Sequence, residues 1–273
     1  MNSALCIDMR FEKWQACGND FMVLREDFWD YNLEPSENRR RVRMLCSHHY
    51  GIGADGILLA LPSEVADGKM VVYNRDGSEA EMCGNGIRCV AKMLVEETGR
   101  NALEIETLAG VKKVAQDGDY VGVEMGEPRI LWEGEADFPR RRTCSATYVS
   151  VGNPHCVIYM SEVRPGELER FGPKLSRLPR FEEGANIEFV SLMTTCRLRV
   201  RVWERGVGRT LACGTGACAS AYASYMRGIV KPNVTVTLDG GDVEIDIAKG
   251  GEVTMYGDAR RTYKGEFDLS DIV

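Results

Sequence analysis

Two cysteines stand in nearly the same setting. "EMCGNGIRC" runs from Glu81 to Cys89 and "LACGTGACA" from Leu211 to Ala219, so Cys83 and Cys213 each open a glycine-rich tetrapeptide that leads into residues at helical spacing. A helix N-terminus leaves backbone N–H groups unpaired and carries partial positive charge, which makes each segment an anion site with a thiol beside it. The same field is worth ~0.3 to 2 kcal/mol, enough to bring a thiol from ~8.5 toward neutrality and populate the thiolate. Two such groups on opposite faces of one carbon suit racemisation or epimerisation: one thiolate takes a proton and the other thiol delivers one. The adjoining N–H groups would hold a substrate carboxylate and stabilise the charge that develops as the Cα proton leaves. A free cysteine is more often a small buried apolar residue. That reading suits Cys89 and Cys218 within the helices, and also Cys6, Cys17, Cys46, Cys144, Cys156 and Cys196.

The thiol segment belongs to a longer repeat. "VYNRDGSEAEMCGNG" (Val72 to Gly86) overlays "VWERGVGRTLACGTG" (Val202 to Gly216) without a gap at an offset of 130 residues, placing Asn74 on Glu204 and Arg75 on Arg205. "GND" at Gly18 pairs with "GNP" at Gly152, and "GADGILL" at Gly53 with "GANIEFV" at Gly184, in the same order. Ordered matches at nearly constant spacing indicate an internal duplication, and two long repeats mean two equivalent domains rather than a solenoid.

The elements that position the thiols follow from pattern. Ile87, Val90, Ala91, Leu94 and Val95 recur at helical spacing after Cys83 and stop at Gly99; small residues Ala217, Ala219, Ala221 and Ala223 follow Cys213 and end at Gly228. "ALEIETLAGVKKV", "RLRVRVW" and "VTVTLDGGDVEIDI" alternate as antiparallel strands do. The expected fold class is α+β, with two pseudo-symmetric domains. Each is a mostly antiparallel, curled, barrel-like sheet around a central helix, with an outer helix at Ser36 to Cys46 or Gly166 to Leu178. The boundary is expected at Met125 to Pro128, giving domains 1–126, with 262–273 returning to it, and 127–261.

Composition narrows the function classes. A chain of 273 residues, 44% hydrophobic, is long enough for two cores of ordinary size. A net charge of −7 without a sustained Lys/Arg run argues against nucleic acid or an anionic membrane as partner, and "PRRRT" at Pro139 reads as a solvated loop. Asp8, Arg10, Glu12 and Lys13 interrupt what would be a signal-peptide core, and nothing approaches the ~18 apolar residues of a spanning helix, so a cytoplasmic location is expected. Most of the ten cysteines in such a setting are expected to be thiols; no CxxC or HxxxH suggests a structural metal.

These motifs resemble the diaminopimelate epimerases over nearly the whole chain, through "GNDF" at Gly18, "YGIGADGILL" at Tyr50, "YNRDGSEAEMCGNGIRC" at Tyr73, "VGNPHCV" at Val151, "GANIEFV" at Gly184 and "VWERGVGRTLACGTGACA" at Val202. The resemblance implies a cofactor-independent enzyme that interconverts LL- and meso-2,6-diaminopimelate for lysine and peptidoglycan synthesis, with its site in a cleft between two similar domains. It places the catalytic thiols on Cys83 and Cys213 and catalysis-assisting groups on His155 and Glu204. It places substrate contacts on Asn19, Asn74, Gly84, Asn85, Asn153, Asn186, Arg205, Gly214 and Thr215. Arg205 suits a remote carboxylate by its planar fork of donors, and asparagine suits a zwitterionic end, although asparagines beside Gly or Asp are as often turn residues. Gly56 stands where many family members have Gln. The implied partner is the small-molecule substrate, and a homodimer is left open. Two rivals stand beside this reading: a racemase for another amino acid such as proline or histidine, and a redox protein cycling Cys83 and Cys213 as a disulfide.

Overall fold

The computed structural model describes residues 8–25, 35–138, 142–164 and 166–268. Cys6, residues 139–141 of the basic loop and residues 269–273 of the returning segment lie outside them. In chain order the elements begin β1 (Asp8–Ala16), β2 (Asn19–Leu24), α1 (Pro35–Leu45), β3 (Gly56–Leu61), β4 (Gly68–Asn74), β5 (Glu79–Ala80), α2 (Gly84–Thr98), β6 (Ala102–Thr107), β7 (Gly110–Asp117) and β8 (Tyr120–Gly126). They continue as β9 (Arg129–Phe138), β10 (Arg142–Ser150), β11 (Pro154–Tyr159), α3 (Glu167–Leu175), β12 (Asn186–Thr194), β13 (Arg197–Glu204), β14 (Gly208–Thr210), α4 (Gly214–Met226), β15 (Asn233–Thr237), β16 (Asp242–Ile247), β17 (Val253–Asp258) and β18 (Arg260–Asp268). The protein is thus a mixed α and β fold, and its contacts divide it into two compact units, Met1–Val121 with Asp258–Val273, and Gly122–Gly257.

Within the first unit the strands neighbour one another as β18, β1, β2, β3, β4, β6, β7, with β5 folded back on β4. Pairing is antiparallel except at β2–β3 and β4–β6. Parallel neighbours need a crossover. The chain supplies α1 for the first and α2 for the second. In the second unit the order is β9, β10, β11, β12, β13, β15, β16, β17, with β14 on β13 and parallel pairs at β11–β12 and β13–β15, crossed by α3 and α4.

One helix in each unit is buried on almost every side. Helix α2 packs on β1, β2, β3, β4, β6 and β7, and α4 on β10, β11, β12, β13, β15 and β16, so each sheet curls about its helix. Ile87, Val90 and Ala91 of α2 have at most 1% exposure, each Ile or Val contributing about 1.5–3 kcal/mol by burial. Gly99 stops α2 in the left-handed conformation (φ 70°), its N–H returning to Val95. Helix α4 reaches the same burial with alanines, and its two fully buried serines, Ser220 and Ser224, satisfy their hydroxyls on the carbonyls one turn back at 2.7 Å.

The outer helices cover the sheets. Val42 and Leu45 of α1 join Met9, Leu24 and Leu59, and Leu168, Phe171 and Leu175 of α3 join Ile187 and Phe189. Helix α3 ends earlier than Leu178, because Arg177 and Leu178 wind into i→i+3 turns while Ser176 is drawn to Ala185, its Oγ donating at 2.6 Å. No helix among the described residues is long and apolar enough to cross a membrane.

Candidate active site

Cys83 is the N-cap of α2 and Cys213 the N-cap of α4. Their backbones are nearly the same, φ −135°, ψ 114° and φ −125°, ψ 114°, and each sulfur accepts from the amide three residues on, Gly86 N at 3.3 Å and Gly216 N at 3.4 Å. The cap that serine or aspartate usually provides is here made by a thiol. Cys83 is half-buried, whereas Cys213 is 7% exposed.

Around Cys83 the first unit assembles a buried cation. Arg88, wholly buried one turn into α2, donates to Gly84 O at 3.2 Å, Asn85 Oδ1 at 2.9 Å, Cys17 Sγ at 3.5 Å and Asp258 O at 3.2 Å. Asn85 therefore has its side chain turned along the helix. Asn19 opens β2 after the tight Cys17-Gly18 turn, both of whose residues have positive φ (51° and 73°). Asn74 closes β4 and donates to Ser78 Oγ at 3.0 Å.

The second unit gathers more of the expected residues. His155 on β11 is fully buried, with Nδ1 2.7 Å from Glu188 Oε1 and Nε2 2.9 Å from Asn153 Oδ1. Asn153 Nδ2 reaches Thr215 Oγ1 at 3.5 Å, and that hydroxyl is 3.4 Å from Cys213 Sγ. A chain of polar groups thus runs Glu188, His155, Asn153, Thr215, Cys213. Glu204, half-buried at the end of β13, accepts from the Thr210 hydroxyl and faces the Cys213 thiol. Gly214 is buried in the first turn of α4.

Asn186 is committed to backbone: it donates to Pro154 O at 3.1 Å and accepts the Arg205 N–H at 2.8 Å. It locks the start of β12 to the turn that carries Arg205. The Arg205 guanidinium is partly exposed, donates to Glu183 O at 3.2 Å, and borders a cavity of about 540 Å³ also lined by Arg177, Glu183 and Trp203.

Electrostatics corrects one expectation. The Cys213 thiol is held well above its ordinary range, first by burial and then by Glu204 and Glu188; Thr215 and the Gly216 N–H oppose this without overcoming it. A helix terminus contributes at most about 2 kcal/mol, while full burial can move a group by about 3–5 units, so desolvation wins at this sulfur. Glu188 and Glu204 are also shifted upward, by burial foremost, with His155 pulling against it in both.

Glu188 was absent from the expected site. Its signal was an acidic residue inside the otherwise apolar run "IEFV", on a strand parallel to the one bearing His155. The remaining thiols divide by burial: Cys46 and Cys156 are pushed up to about 12 by burial, and Cys89 and Cys218 are fully buried. Cys196 is exposed rather than packed in a core. Among the described residues no group of three His, Cys, Asp or Glu is arranged to hold a metal.

Known structures share this fold. A hydroxyproline epimerase from Agrobacterium vitis superposes with a TM-score of 0.72 at 16% identity, covering 96% of this chain and 92% of the other. A Bacillus anthracis protein of the PhzF phenazine-biosynthesis family gives 0.70 at 15% identity, covering 96% and 99%. At such identities the likeness is one of fold. Sequence relatives are much nearer: a diaminopimelate epimerase of Acetivibrio thermocellus is 42% identical, covering 97% of this chain and 100% of its own length. One from Synechocystis sp. is 40% identical over 96% and 99%. The family model for diaminopimelate epimerase matches residues 11–131 and 147–262, which include both cysteine-capped helices. On the sequence matched and the two capped helices together, the chain belongs to the diaminopimelate epimerase family.

Proposed function

We propose that the protein interconverts LL- and meso-2,6-diaminopimelate without a cofactor, using Cys83 and Cys213 as an acid–base pair. The observation that carries this is the doubled cap: two sulfurs in matching backbone conformation, each at a glycine-rich helix start, within a family match that spans both. One thiolate takes the Cα proton, the C–H electron pair spreads into the carboxylate, and the other thiol returns a proton to the opposite face. Reversal exchanges the roles. Backbone N–H groups at Gly84-Asn85 and Gly214-Thr215 hold the reacting carboxylate. Arg205 takes the remote carboxylate, Asn19, Asn74 and Asn153 add substrate contacts, and Asn186 offers the second N–H of the amide that bonds Pro154 O. His155 assists through the polar chain that ends at Cys213, and Glu204 assists from beside that sulfur.

The same strand order in both units, with parallel pairs at matching places, supports reading them as duplicated, pseudo-symmetric domains. A cytoplasmic enzyme, as monomer or homodimer, fits a step in amino-acid biosynthesis.

Single turnover in deuterated water tests the chemistry. Product from either isomer should carry deuterium at the inverted carbon while recovered substrate stays unlabelled, because the proton removed remains on one sulfur and the proton delivered comes from the solvent-equilibrated other. Product that keeps its original hydrogen would reject two bases, since a single shuttling base returns what it took.

A further inference from the structure

We propose that Glu188 is a positioning residue for the reaction at Cys213: its buried carboxylate holds His155, and through Asn153 the Thr215 hydroxyl, against the sulfur, and so makes the two thiols unequal. This rests on the reading of Cys213 as an acid–base group.

The carboxylate lies at the mouth of α4. A Cβ built on Gly216 would meet Glu188 Oε1 at 2.7 Å and Cys213 Sγ at 3.4 Å, so only the absence of a side chain at Gly216 lets the carboxylate approach. Glu188 Oε1 accepts from His155 Nδ1 at 2.7 Å, with both side chains at 0% exposure. Its other oxygen, Oε2, is buried with no hydrogen-bond partner among the described residues. A buried pair with one unsatisfied oxygen is poor evidence for stability. The first repeat shows that the position accepts an apolar residue: there a Cβ on Gly86 would meet Leu58 Cδ2 at 2.9 Å, in the place where Gly216 would meet the carboxylate.

The two repeats keep the capping glycine and the asparagine of the "GN" turn but have diverged at three other groups around the sulfur. The motif alignment alone would set Glu188 on Ile57, but strand register places it on Leu58, since Leu58 pairs with Val72 as Glu188 pairs with Val202; at the same offset of 130, Glu204 answers to Asn74 and Cys218 to the buried cation Arg88. Helix α2 therefore begins over a guanidinium and α4 beside carboxylates. The charged and titratable groups facing Glu188 are His155 and Cys156 on β11, Glu204 on β13 and Cys213 on α4. An anion there disfavours the Cys213 thiolate, so the resting proton stays on Cys213. The hydroxyl of Thr215, held in place by Asn153, is the group ready to donate to that sulfur once its proton has left.

Glu188→Gln keeps an acceptor for His155 and removes the charge; Glu188→Leu copies the first repeat and removes both. The readouts are the pH dependence of iodoacetamide alkylation at Cys213 and Cys83, followed by peptide mass spectrometry without substrate, and the pH profile of kcat. In Glu188→Gln the Cys213 curve should move to lower pH by about one unit with the Cys83 curve unmoved. In Glu188→Leu, kcat should fall about tenfold or more with KM changed less than about threefold. A folded Glu188→Gln protein with an unmoved Cys213 curve and an unchanged kcat profile overturns the role of Glu188. Full turnover by Cys213→Ala overturns instead the acid–base reading beneath it. Should the variants not fold, the parent enzyme labelled with ¹⁵N-histidine still decides. A downfield, exchange-protected His155 Nδ1–H proton supports the buried carboxylate contact, and its absence overturns it.

Discussion

Gly86 and Gly216 occupy the same place, third residue of α2 and of α4, yet the same substitution should have unequal effects. Replacing either by alanine gains about 1 kcal/mol of helix propensity. At Gly86 the new methyl meets the tip of Leu58 at 2.9 Å and Cys83 Cβ at 3.3 Å. A leucine methyl can turn aside for about 1 kcal/mol, so Gly86→Ala should lie within about 1 kcal/mol of the parent. At Gly216 the methyl meets Glu188 Oε1 at 2.7 Å, and that oxygen is already bonded to His155 at 2.7 Å. Retreat breaks a charged hydrogen bond worth about 1.5–3 kcal/mol and adds about 1–3 kcal/mol of overpacking. After the propensity gain, Gly216→Ala should be less stable than the parent by about 1.5–5 kcal/mol, a fall in Tm of about 3–15 °C. Urea melts of the two variants, read by fluorescence and circular dichroism together, measure the difference. If Gly216→Ala proves as stable as the parent, or Gly86→Ala loses more, the close approach of Glu188 to the helix mouth is wrong.

Cys83→Ala and Cys213→Ala should each lower the formation of meso- from LL-diaminopimelate by at least about a hundredfold while leaving the circular dichroism spectrum unchanged; near-parent turnover by either sinks the acid–base pair. Asp239 is ringed by Arg199, Arg201 at 3.2 Å and Arg209 at 2.8 Å. Burial raises its pKa, but the three arginines outweigh that and hold it below the ordinary carboxylate value. A depressed folded-state pKa stabilises above the unfolded value of ~3.9 and is lost as pH falls through the folded one. Asp239→Asn should therefore cost about 1–2 kcal/mol at neutral pH, discounted for partial exposure, and the gap from the parent should close in acid; a gap independent of pH down to acid unfolding refutes the ion cluster. Gly56→Ala should destabilise by about 1–3 kcal/mol, because its Cβ would sit 2.6 Å from the Tyr73 carbonyl on the paired strand; thermal melting equal to the parent refutes that packing.

Periodicity and glycine placement were enough to locate α2 and α4 and to put a thiol at each N-cap, because a helix start is a local event: Cys83 and Cys213 make their cap bonds to amides three residues away. Gly99 ends α2 for an equally local reason, its positive φ. Helix α3 was legible only approximately, since the chain tightens into i→i+3 turns after Ser176, whose hydroxyl bonds Ala185 O nine residues on, a contact that no propensity records. The repeated motifs were also in the chain as written, being a comparison of residues with residues.

Only the tertiary structure decided what surrounds each sulfur. In the sequence both thiols have the same two glycines after them, and the helix field alone argues for the same lowered pKa. Folding brings β11, β12 and β13 to the mouth of α4, burying His155 and Glu188 completely and setting Glu204 against Cys213. Desolvation and like charge then drive that thiol upward, overriding the local term. Arg88 looked like one more helix residue, and Glu188 like one more strand residue, until burial without solvent forced each to find partners far along the chain. Caps and periodicity act over a few residues and can be read from a string; burial and through-space charge depend on residues tens of positions apart, and they exist only once the chain has folded.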